Sequence, residues 1–286
     1  MTALAMALVL RLAVTPFVDL PTEFWGIAPE VKADSFPGIK RKKDKAVVLV
    51  HGLLPRPIHP LKAEKPEAHS WQLSTGSLVK AVSEDFDVFG FSYAQTVTAD
   101  SVVLSKGLRD GIQSLKDAGY KEIALVGHSA GALIVRRFVE VFPDSGVTKI
   151  VTIGSPFLGS NWAKVPTFVL PKNQLPFIRS LQPEFREGLT KDRSGPIPES
   201  LEFGTVICKL PRLDNDTIVG IRSQWPEDLQ KQGISAVLAE VNHFEAMTNE
   251  SCTNEVAKLL KNKIRRWSPE EVAKAQKVLF GEEKKK

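Results

Sequence analysis

Gly127-His128-Ser129-Ala130-Gly131 is the stretch of this chain with the clearest chemical content. The apolar run Ile123-Ala124-Leu125-Val126 leads straight into it, and Ala132-Leu133-Ile134-Val135-Arg136-Arg137-Phe138 follows with a helical pattern. A buried strand that breaks into a helix at one serine suits a nucleophile held on a strained turn. Glycines two positions before and after Ser129 fit, because the strand and helix backbones pass too closely there to admit a Cβ. The competing reading is a tight glycine-rich turn with no chemistry. The strand before and the helix after are the context that favours the nucleophile.

A serine hydroxyl attacks poorly at neutral pH unless a neighbouring base takes its proton, and histidine suits that task. The chain has five histidines. His128 adjoins the serine, so its side chain must leave the turn in another direction. His51 stands at a strand end beside Gly52, where a structural hydrogen bond is expected. His59 and His69 lie in a polar loop and are given no role. His243 remains, at the carboxyl end of the last expected strand, and is taken as the base. The base needs a carboxylate to fix its tautomer and stabilise its cation. Asp214 and Asp216 both lie between Ser129 and His243 after a strand. Asp216 is preferred because Thr217-Ile218-Val219 continues apolar behind it; Asp214 is then a helper or turn former.

The negative charge of a tetrahedral intermediate calls for fixed N–H donors, each worth about 3 kcal/mol. Ala130, just after the nucleophile at a helix start, is expected to supply one. Leu53, after His51-Gly52 at the end of an apolar strand, is expected to supply the other, with Leu54 as its competitor.

Several elements must position these groups. Ala46-Val47-Val48-Leu49-Val50 is a continuous apolar run that fits a strand buried on both faces. Phe86–Tyr93, Lys149–Ile153, Thr205–Leu210 and Ser235–Val241 read as further strands. Helices are expected over Thr75–Ser83, Ala99–Ala118, the stretch after Ser129 and Glu255–Trp267, the last starting near Thr253-Asn254. A final helix opens at Ser268-Pro269-Glu270-Glu271, with serine as cap and proline at the first helical position. Strands alternating with helices argue for an α/β chain with a doubly wound, mostly parallel sheet. Residues 1–45 read as an N-terminal arm, irregular over 15–45 because of its prolines and pinned by Phe24 and Trp25. Residues 46–267 form the main domain and 268–286 a C-terminal helix with a lysine-rich tail. Residues 157–203 interrupt the rhythm after the strand at 149–153. They read as a lid or acyl-binding cap over the carboxyl edge of the sheet, with Leu175–Leu189 forming one or two short helices.

The chain has 286 residues, 43% of them hydrophobic, enough for one large core. Its formal charge is +5 and its pI about 9.1. The basic excess sits largely in Lys40–Lys45 and Lys284–Lys286, without interleaved aromatics, which argues against a nucleic-acid partner. These runs allow weak attraction to anionic membrane surfaces. Met1–Val14 is apolar but shorter than the roughly twenty residues of a membrane span, and Arg11 interrupts it where an export signal would be unbroken. A cytoplasmic or membrane-peripheral location is therefore expected ahead of export. Cys208 and Cys252 either pair, if the chain is exported, or remain two buried thiols.

With these pieces assembled, the chain resembles an α/β-hydrolase of the lipase/esterase kind. The resemblance rests on Val47-Val48-Leu49-Val50-His51-Gly52-Leu53, Gly127-His128-Ser129-Ala130-Gly131, Thr152–Ser160, Asn215-Asp216-Thr217-Ile218-Val219 and His243, in the family's order of Ser, Asp, His. It covers about Ala46 to Trp267. Two positions depart from the family's pattern. Phe157 stands where a histidine is usual after the proline, which suggests an apolar lining, and Thr217 stands where a glycine usually follows the acid. The resemblance implies hydrolysis of carboxylic esters, acyl lipids included, through a covalent acyl-enzyme. The same groups would also serve an acyl-thioesterase or acyltransferase, or be retained in a binding protein on this fold. No metal-ligand cluster stands out and no cofactor is expected.

Overall fold

Alternation along β3 (Lys45–Val50) sets the plan of the molecule. Val48 and Val50 enter one hydrophobic cluster, while Val47 and Leu49 enter a second one on the other face. Strand β5 (Glu122–His128) divides in the same way, Ile123 and Leu125 from Ala124 and Val126. A sheet buried on both faces needs helices on both faces, and that is the arrangement found. The computed structural model describes residues 17–31, 39–55, 60–164, 172–191 and 197–281.

The remaining strands are β1 (Thr22–Ala28), β2 (Glu30–Val31), β4 (Asp87–Tyr93), β6 (Lys149–Ile153), β7 (Glu202–Lys209) and β8 (Ser235–Glu240). They form one eight-stranded sheet in the order β2-β1-β4-β3-β5-β6-β7-β8. From β4 to β8 all pairs are parallel, and β1 and β2 extend the sheet antiparallel. The helices are α1 (Ser77–Val82), α2 (Lys106–Asp117), α3 (Ala130–Val141), α4 (Leu175–Arg179), α5 (Pro183–Lys191), α6 (Ile221–Gln224), α7 (Glu227–Lys231), α8 (Glu250–Lys261) and α9 (Pro269–Phe280). Leu108, Ile112 and Leu115 of α2, Leu133 and Phe138 of α3, and Val272 and Leu279 of α9 cover the first face. Leu78 and Val82 of α1 and Val256 and Leu260 of α8 cover the second. Each such fully buried aliphatic side chain contributes about 1.5–3 kcal/mol. After β3 the chain steps outward to β4 and then returns past β3 to β5. The carboxyl ends of β3 and β5 are thus the point where strand order reverses, the usual site of ligand binding in open α/β sheets.

The parallel strands, the helix after Ser129 and the capped last helix match the sequence reading. In α9, Ser268 accepts from Glu271 N–H at 3.3 Å while Ser268 N–H donates to the Glu271 carboxylate at 2.9 Å. Four expectations need correction. Residues 15–45 are not simply irregular: Thr22–Ala28 is a strand of the main sheet, pairing Trp25 with Gly90. The helix expected over Ala99–Ala118 is a 3₁₀ segment, Ala99–Leu104, followed by α2, with extended backbone at Ser105. Leu104 O accepts from Val18 N–H there, so the chain segment before β1 takes a carbonyl that a continuous helix would use. The helix expected from Glu255 begins at Glu250, capped by Asn249, whose side chain accepts from Cys252 N–H at 3.1 Å. Phe157 is wholly buried in the first core cluster, with the Arg136 guanidinium 5.1 Å from its ring centre.

Residues 157–203 carry α4 and α5, as expected for short helices. Phe177, Ile178 and Leu181 join the core cluster, and Ser180 Oγ accepts from Ala99 N–H at 3.0 Å. Buried Arg186 of α5 pairs with Asp100. The stretches 165–171 and 192–196 of this insertion lie outside the described residues, as do His59, Met1–Val14 and Lys284–Lys286. Cys208 and Cys252 are both buried and free. Among the described residues no helix is long and apolar enough to cross a membrane.

Candidate active site

The turn at Ser129 is where strand and helix meet, and its backbone is strained. Ser129 has φ 55° and ψ −127°, a conformation that costs a non-glycine residue about 1–3 kcal/mol. Its N–H donates to Ile153 O at 2.9 Å, which ties the turn to the neighbouring strand β6. A Cβ on Gly131 would lie 2.2 Å from Val50 O, and one on Gly127 would lie 2.6 Å from the Cα of Ala132. Both glycines are therefore required by close backbone approach, as the sequence suggests.

His243 follows β8 and reaches the serine from across the sheet edge. Its Nε2 lies 2.9 Å from Ser129 Oγ, and its Nδ1 lies 2.7 Å from Asp216 Oδ2. A carboxylate only accepts, so Nδ1 carries the proton and the Nε2 lone pair faces the hydroxyl. The His243 main chain is held as well, its N–H donating to Asp216 O at 2.7 Å. Asp216 is wholly buried in the loop after β7. Its other oxygen accepts from the N–H groups of Ile218 and Val219 at 3.0 and 2.7 Å. Thr217 between them has φ 87°, the left-handed region that a glycine would occupy freely. Asp214, the competing candidate, is exposed, and its carbonyl accepts from Ile221 N–H.

Ser129, Asp216 and His243 are thus brought together. Of the two residues expected to face an oxyanion, Ala130 follows Ser129 at the start of α3 and Leu53 follows Gly52. Gly52 is packed on Ser129, and Leu53 lines the same cleft. Leu54 N–H is engaged by Gln95 Oε1 at 3.0 Å, whereas no partner for the N–H of Leu53 or of Ala130 is found among the described residues.

Three neighbours stand close to these groups without a role read from sequence, His128 among them only as a side chain expected to turn away. Gln224, wholly buried in α6, holds the acid's loop from beneath. Its Oε1 accepts from Cys208 N–H at 2.7 Å, and its Nε2 donates to Cys208 O and Val219 O and lies 3.5 Å from Asp216 Oδ2. His128, beside the nucleophile, turns away from it, and its Nε2 lies 3.2 Å from His243 O. A carbonyl oxygen can only accept, so His128 donates there. Burial, followed by the facing His243 imidazole, holds His128 well below the ordinary histidine pKa. His69 sits on the wall of the cleft rather than in a purely solvated loop, near Trp71. His128 stands at the carboxyl end of β5, whereas Gln224 lies in α6 and His69 in a loop, where residue type and local pattern mark no role.

The cleft over Ser129 has a cavity volume of about 150 Å³ and opens to solvent. Its walls are mostly apolar: Leu53, Leu54, Trp71 and Met247 on the body, Trp162, Ala163 and Leu181 from the insertion, Ile218 and Val219 from the acid's loop. From the turn after β6 it is Pro156, not Phe157, that borders the cleft. Among the described residues no group of three or more His, Cys, Asp or Glu side chains could hold a metal ion.

Residues 40–179 match the family described as "Putative serine esterase (DUF676)". No curated protein sequence matches the chain. Among solved structures, the chain is similar to the mature form of Bacillus licheniformis lipase BlEst2, with 14% identity over 78% of this chain and 94% of that one, at a TM-score of 0.59. It is similar to Pyrococcus furiosus esterase Pf2001, with 15% identity over 89% and 95% of the two chains and a TM-score of 0.52. It is also similar to phospholipase PlaB from Legionella pneumophila, with 13% identity over 82% of this chain and 63% of that one and a TM-score of 0.56. At such low identities the likeness speaks to the fold alone. The chain has the α/β-hydrolase fold, and its segment 40–179 is similar to the "Putative serine esterase" family.

Proposed function

We propose that this protein is a serine hydrolase that cleaves carboxylic esters with an apolar acyl group, acyl lipids included. The observation that carries this reading is the unbroken chain of hydrogen bonds from Asp216 through His243 to Ser129 at the floor of an apolar cleft. Ser129 Oγ attacks the ester carbonyl carbon as His243 Nε2 takes its proton, and buried Asp216 stabilises the imidazolium. The former carbonyl oxygen becomes an anion facing the N–H groups of Leu53 and Ala130. Collapse breaks the bond to the alcohol oxygen, which leaves with the proton from His243, and the acyl group stays on Ser129. Water then attacks the acyl-enzyme with His243 again as base, releasing the carboxylic acid and the free serine.

The apolar walls and the part of the insertion that borders the cleft support an acyl chain rather than a small polar group. In this reading residues 46–267 are the catalytic domain and 157–203 its acyl-binding cap. The test is a panel of esters from acetyl to long acyl, assayed beside acyl thioesters and with added alcohol acceptors, on wild type and Ser129→Ala. Peptide mapping after labelling with a fluorophosphonate accompanies it. Hydrolysis that rises from acetyl to longer acyl groups, together with a label on Ser129, is expected. A preference for acetyl would count against the acyl-binding cap. Faster turnover of thioesters, or transfer to the alcohols, would move the assignment to a thioesterase or transferase. An unlabelled, inactive wild type would make the fold a binding module.

A further inference from the structure

The peptide that joins Gly52 to Leu53 is held from the side opposite the cleft. In a trans peptide the C=O of one residue and the N–H of the next point in opposite directions. Whatever grips Gly52 O therefore aims Leu53 N–H. Gln95 Nε2 donates to Gly52 O at 2.9 Å, and His51 Nδ1 reaches the same oxygen at 2.7 Å. The next peptide is gripped too, because Leu54 N–H donates to Gln95 Oε1 at 3.0 Å. Gln174 completes the arrangement. Its Nε2 donates to Leu54 O and to Gln95 Oε1, both at 2.8 Å. Gln95 Oε1 thus accepts twice and Gln174 gives both amide hydrogens, the full capacity of those atoms. Gln95 is 3% exposed and Gln174 fully buried. In water such bonds would exchange freely; in a dry interior a flip of the peptide would strand several polar groups at once.

Gln95 follows β4, next to β3, and belongs to the body of the sheet. Gln174 belongs to the 3₁₀ turn Lys172–Gln174 in the segment inserted after β6. Neither side chain borders the cleft, so neither touches substrate. We propose that Gln95 and Gln174 are positioning residues for the oxyanion donor, and that the inserted segment thereby sets the reactivity of Ser129 from outside the substrate site. The inference rests on the reading of Leu53 N–H as that donor. A displaced donor weakens the transition state more than the bound ester, so the effect belongs in kcat rather than KM.

The experiment compares wild type, Gln95→Met, Gln174→Met and the double variant in hydrolysis of 4-nitrophenyl butyrate. Active sites are counted by fluorophosphonate labelling taken to completion, so kcat is expressed per labelled serine and a misfolded fraction does not lower it. Asn173→Ala serves as control: its side chain ties the same turn to Glu64 at 3.0 Å without reaching residues 51–54. Each glutamine variant is expected to lose about 10- to 100-fold in kcat per labelled site, with KM within about threefold, as for a donor misplaced by a fraction of an ångström. The double variant is expected to fall no further than the worse single one, because the pair acts as one unit. Asn173→Ala keeps wild-type kcat. Wild-type turnover that disappears in Ser129→Ala secures the hydrolase reading independently. Unchanged kcat per site in Gln95→Met and Gln174→Met would then overturn the positioning role alone, as would a loss shared by Asn173→Ala. No turnover by wild type would overturn both.

Discussion

Gly52 is packed so tightly on Ser129 that a Cβ added to it would stand 2.6 Å from the serine's own Cβ and 3.0 Å from its Oγ. The loop after β3 and the turn after β5 are therefore in contact at the reacting atom, and neither can move without the other. Gly52→Ala is expected to displace the hydroxyl and lower kcat/KM for an acyl ester by about 100-fold, the scale of a 1 Å misplacement. Because the serine Cβ moves only with its backbone and His128 O also lies 3.0 Å away, some loss of stability is expected beside the loss of activity. Gly131→Ala meets backbone more closely, at Val50 O and His51 O, and is expected to destabilise the protein by about 2 kcal/mol or more. Ester kinetics beside urea unfolding of the two variants would check both; an active Gly52→Ala would show that the loop yields.

Asp216 and Asp214 are separated by one residue and have opposite environments, one buried against His243 and the other exposed. Asn at 216 would offer His243 an N–H or a weaker acceptor and lose control of the tautomer. Asp216→Asn is expected to lower kcat by about 10⁴-fold, the effect of this exchange where such a carboxylate serves a catalytic histidine. Asp214→Asn should stay within about twofold of wild type. Equal losses in the two variants would refute the assignment of the acid.

His128 stays neutral in the fold because burial and the facing His243 disfavour its charged form. The unfolded chain binds a proton at this position below about pH 6.5, while the native protein does not until the pH is well below that. Stability from this residue is thus intact above pH 6.5 and is lost as the pH falls beneath it, by about 1.4 kcal/mol per pH unit. His128→Gln keeps an amide donor for His243 O and removes the titration. Its loss of unfolding free energy between pH 7.5 and 5.5, read from urea curves, is expected to be about 1 kcal/mol smaller than that of wild type. Parallel curves would contradict the neutral assignment.

Thr217 occupies a left-handed backbone position with a β-branched side chain, at φ 87°. That conformation costs about 1–2 kcal/mol, whereas the greater freedom of glycine in the unfolded chain costs about 0.5–1 kcal/mol. Thr217→Gly is expected to raise the thermal midpoint slightly and to leave ester turnover intact, since the Asp216 carboxylate bonds to the N–H groups of residues 218 and 219. A lowered midpoint would mean that the threonine side chain contributes more than its backbone strain removes.

The elements found correctly from sequence share one property: their signals are local. The β-branched run of β3 and the apolar run of β5 are each buried on both faces by their own residues. The turn at Ser129 carries both of its required glycines within five residues. The last helix opens with its cap, its proline and its glutamate in consecutive positions. What was misread depended on distant partners. Thr22–Ala28 mixes polar and aromatic residues between prolines and becomes a strand only because β4, more than sixty residues later, offers it an edge. The sequence reading starts α8 near Thr253-Asn254, but the helix begins at Glu250 behind the cap Asn249, because Cys252 and Thr253 are buried and belong inside it.

Ser129, His243 and a carboxylate between them at 214 or 216 could be named from residue types and the strand and helix patterns around them, because those patterns are written in neighbouring side chains. Tertiary structure showed that Asp216 rather than Asp214 meets the imidazole, and that among the described residues the N–H of Leu53, not that of Leu54, has no partner. It also decided that Gln95, Gln174 and Gln224 stand behind the site. A buried amide takes its meaning from the acceptors and donors that the fold packs around it, and those lie tens of residues away along the chain.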